Sequence, residues 1–336
     1  MQRAVGPKAD RFLRHDNGDR LAQTRVDYYK SGMFTIAIPS YNNPVFTRKA
    51  VESAIRATEH IDLPTEFILI DDAADSGESA TEVFLDVRNA YAERDIVVVR
   101  ATTRVHYPGS FSLALHLTKT PLTMFMSNDM LLTPSYLLAA LGVTALNKSF
   151  GCVRGSSGYT DGLPQHVVKS PYSTECYEAA ASFGDYIFRH NGLAYVDNYL
   201  LCGDAVIIRQ EVIEAIGVHD PHLTPYFSDI DYGMRAQLAG FSLVGALGAW
   251  LHHEGGGYVK RDARRRGETV QALMDERRER ILMSWQAFRR KWGEELPKSP
   301  FDWDFTRFPE VAQRRASQVA LKVDIPSELL SHVEFL

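Results

Sequence analysis

From residue 34 the chain alternates two kinds of segment. FTIAIP (34–39), EFILIDD (66–72), IVVVRA (96–101) and LTMFMSND (122–129) are short, nearly unbroken apolar runs, the pattern of strands buried on both faces. Between them, apolar residues recur at helical spacing. Ala50, Ala54 and Ala57 follow Pro44, a residue suited to a first helical turn, and Val83, Phe84, Val87, Ala90 and Tyr91 mark the next helix. Strands alternating with helices predict an α/β fold, a mostly parallel sheet flanked by helices. Ligands of such sheets bind at the carboxyl ends of the strands, where this sequence places Ser40-Tyr41-Asn42, Asp71-Asp72 and Ser127-Asn128-Asp129.

The pattern loosens further along. GCVRGSSGYTDGLPQH (151–166) is rich in glycine and polar residues and reads as an ordered loop. AVIIR (205–209) reads as a strand leading into a helix that Gly217 stops. DYGMRAQLAG (231–240) is a short helix ended by Gly240, and LVGALGAWLHH (243–253) a last strand closing on paired histidines. A long helix is expected over 260–292, with Val270, Leu273, Ile281, Trp285, Phe288 and Trp292 on its apolar side. The tail beyond Pro297 carries Phe301, Trp303, Phe305 and Phe308 and is expected to pack back on the body. The chain therefore divides into a polar N-terminal extension (1–33), a domain (34–256), and a C-terminal helical extension and tail (257–336).

Composition narrows the class. The 336 residues are 45% hydrophobic and 24% charged, as in ordinary globular proteins, and a formal net charge of -5 gives no general attraction to nucleic acid. Three widely spaced cysteines, Cys152, Cys176 and Cys202, argue against a disulfide framework or zinc cluster and point to a reducing cytoplasm. No apolar run approaches the roughly 18 residues of a membrane span. A cytoplasmic protein is expected, at most peripheral to a membrane. Residues 260–291 depart from the acidic average, with eleven Lys/Arg against five Asp/Glu. They read either as a solvated helix face or as a surface for anionic lipid or a lipid-linked acceptor.

Several strand ends carry groups able to do chemistry, and each also has a plain structural reading. Asp129 can hold Mg2+ or Mn2+ together with phosphate oxygens and water, or can merely end a strand before a helix begun by Thr133-Pro134. Of Asp71-Asp72, one can accept the N3–H of uracil or thymine while the other caps the following turn. Tyr41 offers a ring for stacking on a base, or for packing. Ser228 and Asp231 have the spacing of a capping box, which leaves Asp229 unexplained. A carboxylate at a helix start stays ionised with help from the dipole and can act as a general base. Either of His252 and His253 can offer a nitrogen to a cation, beside the Glu254-Gly255-Gly256-Gly257 loop. Lys260, Arg261 or Arg264 can close over a diphosphate.

Taken in order, TIAIPSYNN (35–43), ILIDDAAD (68–75), MFMSND (124–129) and the stretch 202–256 resemble glycosyltransferase family 2 on a GT-A, Rossmann-like fold. The resemblance implies an inverting, non-processive transferase that moves a sugar from a UDP- or dTDP-sugar to a hydroxyl of a glycan or lipid-linked acceptor. It implies a role in bacterial-type glycan or glycoconjugate assembly, and Mn2+ or Mg2+ as cofactor. By position it implies donor contacts from Pro39, Tyr41 and Arg235, with Asp72 reading the base; Arg104, Asn128 and Lys260 are further candidate donor contacts. Asp129 matches the last acid of the metal motif, one of His252 and His253 the metal-site histidine, and Asp229 the inverting base.

Three positions depart from the family pattern. Ser127 stands where the metal motif has its first acid, Ser228 where a glutamate precedes the base, and Ala73-Ala74 where Gly-Ser is usual. Gln286-Ala287-Phe288-Arg289 is followed by Arg290 rather than by the tryptophan of processive synthases. Three other readings compete. A nucleotidyltransferase would put a glycine-rich loop after the first strand, where IPSYNNP stands. A glycoside hydrolase would need two opposed carboxylates about 5–9.5 Å apart, for which Asp229 and Asp231 are candidates. A catalytically impaired nucleotide-sugar-binding relative is favoured by the missing acids.

Overall fold

The computed structural model describes residues 34–74, 77–160, 163–255, 263, 264 and 266–336, with the backbone of residues 4 and 5. Most of the expected N-terminal extension, Lys260 and Arg261 lie outside the described residues. Strands β1 (Phe34–Ser40), β2 (Thr65–Asp72), β3 (Asp95–Ala101) and β4 (Leu122–Phe125) run parallel in the spatial order β3-β2-β1-β4. Helices α1 (Pro44–His60), α2 (Thr81–Ala90) and α3 (His106–Leu117) connect them. The order reverses between β1 and β4, which opens a crevice above their carboxyl ends.

Beyond β4 come β5 (Met130–Leu131), α4 (Pro134–Leu146), β6 (Phe150–Ser157), α5 (Tyr177–Asn191) and β7 (Ala194–Asp197). They are followed by β8 (Val206–Arg209), α6 (Gln210–Ile216), α7 (Ser228–Leu238) and β9 (Ser242–His253). Here the sheet becomes mixed. β8 lies antiparallel between β4 and β6, while β9 is parallel to β6 and antiparallel to β7. One face is covered by α1, α2 and α4, the other by α3, α6 and α7, and both interfaces are closed by buried aliphatic and aromatic side chains.

Residues 150–157 correct the sequence expectation: what reads as loop is β6, a wholly buried strand. Its glycine is a matter of space. A Cβ at Gly155 would lie 2.4 Å from Tyr136 Cε2 and 2.6 Å from the Ala249 carbonyl oxygen. The C-terminal helix also starts later than expected. α8 (Val270–Trp292) begins after Gly267, at φ 67°, and Thr269 caps it by accepting the Ala272 N–H at 3.1 Å.

Trp285, Phe288 and Trp292 of α8 and Phe308, Val311 and Ala312 of α9 (Phe308–Arg315) bury themselves against Leu223, Phe227, Ile230 and Met234. Burial on this scale stabilises by roughly 1.5–3 kcal/mol per large apolar side chain, so α8 is fastened to the start of α7. The tail then runs through α10 (Ser327–Ser331) to β10 (Val333–Phe335), antiparallel to β3.

Candidate active site

A cleft of about 950 Å³ opens above the crevice. Pro39 and Tyr41 line it from the loop after β1, Asp72 from the end of β2, and Arg104 from the loop after β3. Asn128 and Asp129 enter after β4, His253 from the end of β9, and Asp229 from the first turn of α7. Segments far apart in sequence thus deliver most of the expected residues to one place. Arg235 and His252 do not reach it.

At one end, β2 splits its two acids by strand alternation. Asp71 turns back and accepts the Thr81 N–H at 3.0 Å and its hydroxyl at 2.6 Å, fixing the start of α2. Asp72 faces the cleft and accepts the Val105 N–H. Burial pushes its carboxyl up to about 6, against the pull of that N–H and of Arg104. The Arg104 guanidinium lies 3.6 Å from the centroid of the Tyr41 ring, a cation–π contact. Asn128 donates to Ser40 Oγ at 3.2 Å and Thr47 Oγ1 at 2.9 Å, tying the first loop to the fourth.

At the other end, β9 and β5 pair antiparallel with His253 opposite Met130, which sets Asp129 beside the histidine. His253 Nε2 is 3.4 Å from Asp129 Oδ1. Its Nδ1 lies 2.9 Å from the Tyr159 carbonyl oxygen and 3.4 Å from Asp204 Oδ2. A carbonyl only accepts, so Nδ1 carries a proton, and in the neutral ring the Nε2 lone pair points toward Asp129. Burial lowers the proton affinity of this ring, but Asp129 and Asp204 outweigh it and raise the pKa overall. His252 turns elsewhere, to Thr174 Oγ1 at 2.8 Å and Glu254 at 3.5 Å.

Among the described residues no group of three or more His, Cys, Asp or Glu side chains is arranged to hold a metal ion. Asp129 and His253 Nε2 therefore offer a pair. That fits Mg2+ or Mn2+, which take one or two protein carboxylates and complete their shell with phosphate oxygens and water.

Asp229 lines the same cleft. Its Oδ2 accepts the Gly203 N–H at 3.2 Å and its Oδ1 the Ile230 N–H at 2.9 Å. Burial raises the carboxyl to about 6, with Asp204 adding to the rise and the two N–H groups opposing it. Glycine is required at 203, because a Cβ there would lie 1.6 Å from Tyr107 Oη.

Two expectations fail here. Arg235 is fully buried: its guanidinium donates to Asp231 at 2.8 Å and to the carbonyls of Ile216, Val218 and Leu321 at 2.7, 2.8 and 2.9 Å. With its donors consumed there, it is a structural staple and contacts no donor. Ser228 and Asp231 form no capping box, since the α7 N-cap is Phe227 in the left-handed region without a side-chain cap. Asp231 instead gives its oxygens to Arg235, Trp292 Nε1 at 2.9 Å and Lys291 Nζ at 2.7 Å. Being fully buried, it cannot serve as the second carboxylate of a hydrolase.

Asp204 went unnoticed in the sequence. It lines the cleft, accepts from Arg154 Nε at 3.0 Å and Nη2 at 2.9 Å, and faces His253. The available signal was Gly203-Asp204 at the mouth of a buried strand. Tyr107, Arg277 and Arg280 also line the cleft without a sequence signature.

A family model described as Glycosyltransferase like family 2 matches residues 31–280. The chain belongs to this family of glycosyltransferases. Two solved structures resemble the glycosyltransferase in fold. The mannosyltransferase PcManGT from Pyrobaculum calidifontis, in complex with GDP-Man and Mn2+, is 13% identical with a TM-score of 0.52, over 86% of this chain and 76% of its own. GalNAc-T7 with UDP, GalNAc and Mn2+ is 13% identical with a TM-score of 0.55, over 86% of this chain and 58% of its own. Protein y4gI of Sinorhizobium fredii is 23% identical over 225 residues, 66% of this chain. The glycosyltransferase spans only 24% of the length of that relative. Among the described residues, no helix is long and apolar enough to cross a membrane.

Proposed function

We propose that the cleft transfers one sugar from a uracil or thymine nucleotide donor to an acceptor hydroxyl, with inversion at the anomeric carbon and Asp229 as the base. The observation that carries this reading is a carboxylate poised at about 6 on the cleft surface, at the first turn of a helix. A base is most effective when its pKa lies near the working pH. Asp72 accepts the N3–H of the base, and Tyr41 with Arg104 flanks the ring. The acceptor oxygen loses its proton to Asp229 as it bonds to the anomeric carbon, and the bond to the diphosphate breaks with its electron pair leaving on oxygen. Among the described residues Asp231 is buried and Asp204 is tied to Arg154, which leaves Asp229 as the cleft carboxylate of α7 and supports a single displacement. A divalent cation held by Asp129 and His253 would supply charge neutralisation for the leaving diphosphate.

The exposed Val270 and Met274, one turn apart among the arginines of α8, support a lipid-linked acceptor and peripheral membrane contact. Co-sedimentation with anionic vesicles, lost in Val270→Glu with Met274→Glu, tests that part. The reaction itself is tested by Asp229→Asn, which is expected to bind nucleoside diphosphate as the wild type does while release of diphosphate from the donor stops. Continued release would remove Asp229 as base.

A further inference from the structure

One wall of the cleft is basic. Arg266, Arg277 and Arg280, from the segment that leads into α8 and from α8 itself, share the cleft with Asp72, Asp129, Asp204 and Asp229. A nucleoside diphosphate entering this space meets five carboxylates, Glu78 among them, of which Asp204 is offset by Arg154 and Asp129 only in part by His253. The sequence puts Ser127 where a further metal-binding acid would stand, so the protein grips a cation with few groups.

Arg280 is held ready for an anion. Its Nη2 donates to Glu276 Oε1 at 2.6 Å, which orients the guanidinium, while its Nε is shielded from water without a hydrogen-bond partner among the described residues. Such a donor is costly until an acceptor arrives. Its location identifies the anion. Arg280 lines the same cleft as Arg104, His106 and Asp72, the carboxylate held by the Val105 N–H. A nucleoside seated on Asp72 and Tyr41 carries its diphosphate from that end of the cleft toward Asp129 and His253, within the space that Arg277 and Arg280 also line. Arg277 lies one helical turn before Arg280 on the same cleft-facing side.

We propose that Arg280, seconded by Arg277, binds the donor diphosphate directly, so that the transferase holds a nucleoside diphosphate even without a divalent cation. The proposal rests on the reading of the cleft as a nucleotide-sugar site.

Calorimetric titration of UDP and of uridine in excess EDTA, at low and high salt, tests it. Wild type is expected to bind UDP roughly tenfold or more tighter than uridine, with the advantage shrinking as salt rises. Arg280→Gln should remove most of that advantage and Arg280→Lys keep part of it. Uridine affinity should stay unchanged in both, which reports an intact fold. Equal binding of UDP and uridine in EDTA, or an advantage that survives Arg280→Gln, overturns the proposal while leaving the nucleotide site standing. Failure of UDP to bind even with Mn2+ removes the site itself, and the proposal with it.

Discussion

Asp229→Asn separates what the carboxylate costs the fold from what it does in the cleft. Burial holds the group at about 6 against an ordinary 3.8. Because the folded value is the higher one, the ionised form penalises the native state, fully above pH ~6, and the penalty fades as pH falls toward the unfolded value. At about 1.4 kcal/mol per unit, the penalty is about 3 kcal/mol near pH 8 and about half of that near pH 5. These are ceilings, since one side of the carboxylate meets cleft water. Asparagine removes the charge but offers a single acceptor oxygen to the Gly203 and Ile230 N–H groups, a loss of about 1–2 kcal/mol that does not vary with pH. The variant should therefore gain about 1–2 kcal/mol near pH 8 and almost nothing near pH 5. Urea denaturation of both proteins at the two pH values reads the difference, in which the amide penalty cancels. A gap of the same size at both, or a smaller gain over wild type at the higher pH than at the lower, would refute the placement of Asp229 as a destabilised, poised acid.

Three further outcomes follow from the same geometry. Uridine has no phosphate to titrate, and its affinity should fall about tenfold between pH ~7 and ~5 as Asp72 takes up a proton near 6 and stops accepting N3–H. In Asp72→Ala that dependence should vanish, and its persistence would assign the titration elsewhere. His253→Ala should abolish the enhancement of UDP binding by Mn2+ while His252→Ala spares it, because only His253 faces Asp129; calorimetry showing equal losses would contradict the assignment. Arg235→Met should cost about 3–5 kcal/mol in thermal or urea unfolding, by breaking the buried pair with Asp231 and leaving the Ile216, Val218 and Leu321 carbonyls without this donor, with unchanged UDP affinity in the folded protein. Lost affinity at full stability would restore Arg235 as a donor contact.

The parallel half of the sheet was legible because its strands are apolar throughout and its helices periodic. The other half hid its central strand. β6 carries Gly151, Arg154, Gly155 and three serines in or beside it, since it packs against Tyr136 and Ala249 and supports Asp204. A propensity reading takes those residues for loop, and only the tertiary contacts show why they are needed. In the site, acids at strand ends were visible because charge after an apolar run is conspicuous. Arg235 and Asp231 misled because a buried ion pair looks, in one dimension, like an exposed helix start. Asp204 and Arg280 were silent because their meaning lies in residues 50 or more positions away, Arg154 for the one and the cleft lined by Asp72 and Arg104 for the other.

The most direct test of the transferase assignment follows nucleoside diphosphate released from a panel of nucleotide sugars with Mn2+, in wild type and Asp229→Asn. Release from uracil or thymine donors, lost in the variant while its UDP affinity is kept, is the expected result. Release from none of the donors, or undiminished release by Asp229→Asn, would contradict it.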